Sequence, residues 1–177
     1  MGSRVRRIAV VYATGRGTTG EIAEFIGTAL ESPEVVVEVL PIGHRVPDLS
    51  GFDTVVLGSP VYHGALMKSF VVFVYQRLDQ LAKPNVWLFS TGLAPELSGS
   101  IGRRWARAVP KNIATVRDAL AVRGYRAFSG CYQRSNMPVR AQLRYFLMGG
   151  RRYGDLRDWD AIRAWAAGIA ADSAQCA

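Results

Sequence analysis

Ile8-Ala9-Val10-Val11-Tyr12-Ala13-Thr14-Gly15-Arg16-Gly17-Thr18-Thr19-Gly20 is the stretch on which the fold turns. Ile8 to Val11 form an apolar, strand-length run. Tyr12 to Thr19 then give a loop of small and hydroxylated residues. From about Gly20 the pattern is helical, with Ile22, Phe25, Ile26, Ala29 and Leu30 recurring on one face. Strand, small-residue loop and helix together make a phosphate cradle. Small residues let the backbone curl around an anion, Thr hydroxyls donate to it, and the helix start adds free N–H groups and a positive dipole end.

Two familiar phosphate templates compete for this loop. A Walker loop ends in Gly-Lys-Ser/Thr, and there is no Lys here. Gly15, Gly17 and Gly20 do match Gly-x-Gly-x-x-Gly, and Glu38 stands about 20 positions on, where a dinucleotide fingerprint places its acid. The hydroxyls of Thr14, Thr18 and Thr19 are not needed by that template and suit a terminal phosphate. A plain β–α turn is the bland alternative.

Further along, apolar β-branched runs alternate with helical patterns. Val5–Tyr12, Val35–Leu40, Thr54–Gly58, Val86–Ser90 and Tyr125–Tyr132 read as five strands, nearly continuous in apolar residues as strands buried on both faces are. Phe70, Phe73, Val74, Leu78 and Leu81 predict one helix, with Arg77 interrupting the stripe. Ile113, Val116 and Leu120 predict another. Asp158 reads as the N-cap of a last helix carrying Ile162, Trp165, Ala166, Ile169 and Ala170. This alternation predicts an α/β fold with a parallel sheet and helices on both faces. The 177 residues read as a single domain, 49% hydrophobic and 20% charged.

Ser135–Gly154 breaks the alternation as a basic amphipathic insertion. Val139, Leu143, Phe146 and Leu147 share one helical face, Arg140 and Arg144 lie on another, and Arg151 and Arg152 follow Gly149-Gly150. The net charge of +8 comes from the C-terminal half: residues 103–163 hold 14 basic and four acidic residues, a balance of +10. Such a surface fits nucleic acid, a phospholipid surface or an acidic small molecule. No nucleic-acid module is visible, and nucleic-acid binding is not expected. No apolar run reaches the roughly 18 residues of a membrane span, and the N-terminus lacks a signal-peptide core. Cys131 and Cys176 are far apart, which predicts no disulfide framework and a cytoplasmic setting. No Cys/His spacing suits a metal, and no Ser/His/Asp set is visible.

Two more small-residue loops are expected at strand carboxyl ends, where open parallel sheets bind ligands. They are Gly58-Ser59-Pro60-Val61-Tyr62-His63-Gly64 and Ser90-Thr91-Gly92. With Thr14-x-x-Gly-x-Thr19, they resemble the three flavin mononucleotide (FMN) loops of the flavodoxin-like superfamily. The resemblance spans nearly the whole chain and implies a three-layer sandwich around a five-stranded parallel sheet in the order 2-1-3-4-5. Within it, Met148-Gly149-Gly150 and the Asp158-Trp159 helix opening are most similar to the menaquinone-dependent protoporphyrinogen oxidase (dehydrogenase) group and its flavodoxin-domain relatives.

Carried onto this sequence, the resemblance implies that Thr14, Gly15, Arg16, Gly17, Thr18 and Thr19 hold the FMN phosphate. Ser59, Pro60, Val61, Tyr62, His63 and Gly64 line the isoalloxazine ring, and Ser90, Thr91 and Gly92 meet its pyrimidine edge. Arg16 replaces the small polar residue common there; it either assists the phosphate or faces solvent. Tyr62 stacks on the ring or merely covers the sheet end. His63 is placed to donate a proton to reduced flavin, or contributes only its backbone. His44 reads as a surface-loop residue. The implied activity is electron transfer from a reduced small molecule, such as a porphyrinogen, to a quinone-type acceptor. A non-catalytic electron carrier and a deazaflavin relative are the alternatives. Simple flavodoxin carriers are typically acidic, and this chain is basic. Arg140, Arg144, Arg151 and Arg152 would touch an anionic membrane, placing the protein peripherally at the inner face of the cell membrane.

Overall fold

A computed structural model describes residues 4–62, 64–92, 111–132, 143, 146–147 and 154–175. The chain runs β1 (Arg6–Tyr12), α1 (Thr18–Leu30), β2 (Val35–Pro41), β3 (Thr54–Tyr62), β4 (Ala65–Leu66), α2 (Lys68–Gln76), α3 (Leu78–Leu81), β5 (Asn85–Gly92), α4 (Lys111–Leu120), β6 (Gly124–Ser129), β7 (Cys131–Tyr132), β8 (Gly154–Asp155) and α5 (Trp159–Gln175). Five parallel strands stand in the order β2-β1-β3-β5-β6, and β4 folds back antiparallel on β3. Counting principal strands alone, this is the expected 2-1-3-4-5 order.

The middles of the central strands are apolar because successive residues feed one or the other of two cores. Ala9 and Val11 of β1, Val55 and Leu57 of β3, and Val86 and Leu88 of β5 pack with Phe70, Phe73 and Val74 of α2 and Ile113 and Val116 of α4. The alternate residues Ile8, Val10, Val56 and Phe89 pack with Ile22 and Ile26 of α1 and Ile162, Ala166 and Ile169 of α5. Helix, sheet and helix therefore form three layers.

Several expected boundaries shift. β3 does not end at Gly58 but continues to Tyr62, with Ser59 opposite Ser90 and Pro60 opposite Thr91. A proline fits there for a geometric reason. Gly58 O accepts from Ala13 N at 2.9 Å, so Gly58 faces β1, Ser59 faces β5, and Pro60 faces the side that β1 has already left. The helix expected from Phe70 to Leu81 divides at Arg77, which takes φ −125°. Its guanidinium bonds Pro47 O at 3.1 Å, Val46 O at 3.3 Å and Gln80 Oε1 at 3.0 Å, tying the break to the preceding loop. The fifth strand stops at Ser129. After Gly130 the chain forms β7, which pairs with β8 rather than with the main sheet.

That small ribbon brings together the two ends of the segment 133–153. Leu143, Phe146 and Leu147 are helical, as expected, and exposed. Val139, Arg140, Arg144, Arg151 and Arg152 lie outside the described residues. Asp158 caps α5 as expected, its Oδ1 accepting from Ala161 N at 2.9 Å. Cys131 is a half-buried free thiol in β7.

Candidate functional site

The site stands at the carboxyl ends of β1, β3 and β5, where the strand order reverses between β1 and β3. Thr14, Gly15, Arg16 and Gly17 form an exposed loop between β1 and α1. Gly17, with φ +88°, turns the chain into the helix, and its N–H donates to Thr14 Oγ1 at 2.9 Å. The Thr14 hydroxyl accepts in that bond, so its own proton remains available to an anion. The first helical bond runs from Glu21 N to Gly17 O at 3.0 Å. The N–H groups of Thr18, Thr19 and Gly20 precede it and crown the positive end of a 13-residue helix.

Thr19 has a different task from the one expected of its hydroxyl. It is buried, and its Oγ1 pairs with Thr91 Oγ1 at 2.7 Å, locking α1 to the end of β5. Thr19 thus offers the loop its backbone N–H, while Thr14 and Thr18 carry the accessible hydroxyls.

The second segment is a hairpin rather than an open loop. Val61 pairs with Leu66 and Tyr62 with Ala65, and Gly64 turns the chain at φ +78°. Ser59 braces it from inside: its hydroxyl donates to Pro60 O at 3.1 Å and accepts from Met67 N at 3.2 Å. Tyr62 is 43% exposed, and its ring reaches over the first loop. A Cβ on Gly15 would stand 2.6 Å from Tyr62 Oη, so the glycine makes that approach feasible. His63 lies outside the described residues.

The third segment is the end of β5. Ser90 is buried and bonds Tyr125 Oη at 2.8 Å, so its hydroxyl faces a neighbouring strand. Burial pushes the Tyr125 phenol up, against the lowering effects of the Ser90 bond and nearby Arg117. Gly92 packs against Val61; a Cβ there would sit 3.4 Å from the valine Cβ. The three segments therefore meet through Thr19–Thr91, Gly15–Tyr62 and Val61–Gly92.

Sequence reasoning missed two supports of this site. Tyr125 looked like an ordinary strand residue. Arg157, in the turn before α5, bonds Glu21 in the first turn of α1, a pairing across 136 positions that no local pattern announces. Glu38 proves not to fit the dinucleotide role: it lies mid-strand in β2 opposite Ala9, and its carboxylate accepts from Arg7 Nη2 at 2.8 Å. His44 is exposed in the loop after β2, as expected. Among the described residues no group of three or more His, Cys, Asp or Glu side chains could hold a metal.

A doubly wound sheet with a phosphate-type loop, an aromatic hairpin and a small-residue strand end at its switch point defines a flavodoxin-like protein. The chain belongs to the flavodoxin domain family, whose model matches residues 9–130. No curated protein matches it in sequence. Solved structures share the fold. A flavodoxin from the domain Archaea is 17% identical with a TM-score of 0.62, covering 94% of this chain and 98% of that one. An oxidoreductase from Corynebacterium diphtheriae is 16% identical with a TM-score of 0.59, covering 97% of each chain. Rubredoxin oxygen:oxidoreductase from the anaerobe Desulfovibrio gigas is 11% identical with a TM-score of 0.59, covering 98% of this chain and 37% of that one.

FMN is the cofactor that a flavodoxin domain implies, and the residues fit it. The exposed loop supplies N–H and hydroxyl donors at a helix N-terminus for a phosphate. Tyr62 supplies an aromatic face, and Val61 and Gly92 an apolar, close-packed edge, for a flat ring.

Proposed function

We propose that the chain is an FMN-dependent oxidoreductase that takes electrons from a reduced small molecule and delivers them to a quinone. The observation that carries this reading is the meeting of the Thr14–Thr18 loop, Tyr62 and the Thr91–Gly92 strand end at one switch point. When bound, FMN supplies the redox chemistry, two electrons at a time. The chain's residues bind and orient it. Thr14, Thr18 and the first-turn N–H groups would hold the phosphate, and Tyr62 would cover the ring. His63 is the proposed proton donor. In each turn the substrate loses two electrons and two protons, and the quinone gains both as quinol.

The substrate we propose is a porphyrinogen, as in the protoporphyrinogen oxidase group. Its carboxylates suit a chain whose residues 103–163 carry a balance of +10. A carrier role is the second reading, supported by the bare fold. Purified protein should be yellow with about one FMN per chain. It should oxidise a porphyrinogen with a menaquinone analogue. Colourless protein that cannot be reconstituted with FMN sinks the cofactor reading and favours a deazaflavin. Protein that exchanges electrons with a reductase but oxidises no porphyrinogen is a carrier.

We further propose that the insertion rests on an anionic membrane, where a quinone dissolves. Leu143, Phe146 and Leu147 are 59%, 62% and 69% exposed. Arg140, Arg144, Arg151 and Arg152 flank them in sequence. Among the described residues no helix is long and apolar enough to cross a membrane, so the contact would be superficial. Replacing the four arginines with Gln should release the protein from phosphatidylserine vesicles with FMN still bound. Unchanged sedimentation with the vesicles would reject the proposal.

A further inference from the structure

Glu21 is an awkward neighbour for a phosphate. It stands in the first turn of α1, and its Oε1 lies 3.8 Å from where a Cβ would sit on Gly17, the residue that opens the helix. A carboxylate there stabilises the helix itself but repels an anion bound at the same end.

Arg157 holds that carboxylate. Its Nη1 donates to Glu21 Oε2, its Nε to Asp155 Oδ1 at 2.7 Å and its Nη2 to Asp155 Oδ2 at 2.6 Å. The guanidinium lies 4.5 Å over the Trp159 ring, and Trp159 packs 4.8 Å from Phe25 of α1. Only 10% of the Arg157 side chain is exposed. Asp155 belongs to β8, so this clamp joins the end of the insertion to the start of the cofactor helix. The Asp155 bonds raise the guanidinium above its ordinary range despite burial, and in return lower the Asp155 carboxyl.

We infer that Arg157 is a positioning residue for phosphate recognition: it neutralises and restrains Glu21, so that the N-terminal end of α1 accepts a dianion. The inference rests on the FMN reading. A staple that only held α5 to α1 would matter for stability without distinguishing a phosphorylated ligand from its dephosphorylated form. A charge device distinguishes them.

The test compares FMN with riboflavin, which lacks the phosphate, by fluorescence titration of cofactor-free protein. Arg157→Gln should weaken FMN about tenfold and riboflavin less than about twofold, because the positive charge that offsets Glu21 is lost beside a doubly charged group. Adding Glu21→Gln should restore FMN to within about twofold of the wild type, and 0.5 M salt should shrink the defect. Glu21→Gln alone keeps the Arg157–Asp155 pair intact and serves if Arg157→Gln folds poorly; it should leave FMN equally tight or tighter. Equal weakening of both ligands in Arg157→Gln, no rescue in the double variant, or weaker FMN binding in Glu21→Gln overturns the inference alone. Wild-type protein that binds riboflavin and FMN equally removes phosphate recognition and the inference with it.

Discussion

Replacing Gly58 with valine is expected to cost about 3 kcal/mol of stability or more, although valine is the better strand former. Propensity favours the substitution by at most about 1 kcal/mol. Sterics oppose it more strongly. A Cβ at Gly58 would lie 2.2 Å from Phe89 Cζ and 2.5 Å from its Cε1. Phe89 is the register neighbour of Gly58 on β5 and is fully buried. Its ring is packed against Trp165 and Phe128, each with its centroid 6.1 Å away, so the ring can yield only by disturbing its buried neighbours. Nor can β3 move aside, because Gly58 O receives Ala13 N at 2.9 Å. Urea unfolding should show a lower midpoint with an unchanged slope. Pairing Gly58→Ala with Phe89→Leu should cost less than the two single changes together, since leucine vacates the colliding ring. A Gly58→Val protein as stable as the wild type would mean that the strands yield where the packing says they do not.

Gly58 also shows what can be read from the sequence and what cannot. Thr54–Gly58 reads as a strand from its apolar run, and that much is local. That the strand continues through Ser59 and Pro60 depends on β5 lying alongside and β1 having turned away, which only the assembled sheet decides. The same holds at Ser90–Gly92, where small residues that read as a loop are strand. The three-layer architecture was legible because both core faces imprint apolar residues on the central strands. The helix break at Arg77 was visible only as an interruption, since its cause is a set of carbonyls some 30 positions earlier. At the site, residues contributing through the backbone were legible from composition: Gly15, Gly17 and Gly92 are small because something comes close or turns sharply. The directions of hydroxyls were not. Thr19, Ser59 and Ser90 look alike to Thr14 in a sequence, yet all three face inward to partners from other elements. The Arg157–Glu21 pair is further still from local legibility, because it needs both ends of the fold in place.

The largest effect on ligand binding is expected from Gly17→Val, which should weaken FMN about 100-fold while costing only about 1 kcal/mol of stability. Gly17 has φ +88°, a conformation that a β-branched residue adopts only with strain. Because Gly17 is exposed, the loop can relieve that strain by rearranging locally rather than by unfolding the domain. The rearrangement damages the site itself. It breaks the Gly17 N–Thr14 Oγ1 bond that positions the threonine, and it re-aims the N–H groups of Thr18, Thr19 and Gly20. A phosphate held by several converging donors loses most of them at once, whereas riboflavin, which never used them, should lose far less. Gly43→Val is the matched control, since that glycine is exposed with open space around its Cα and no positive φ. If Gly17→Val binds FMN within about threefold of the wild type, the loop is an ordinary β–α turn, and the phosphate must be held elsewhere. If FMN falls and riboflavin does not, the turn at Gly17 exists to aim a helix end at an anion.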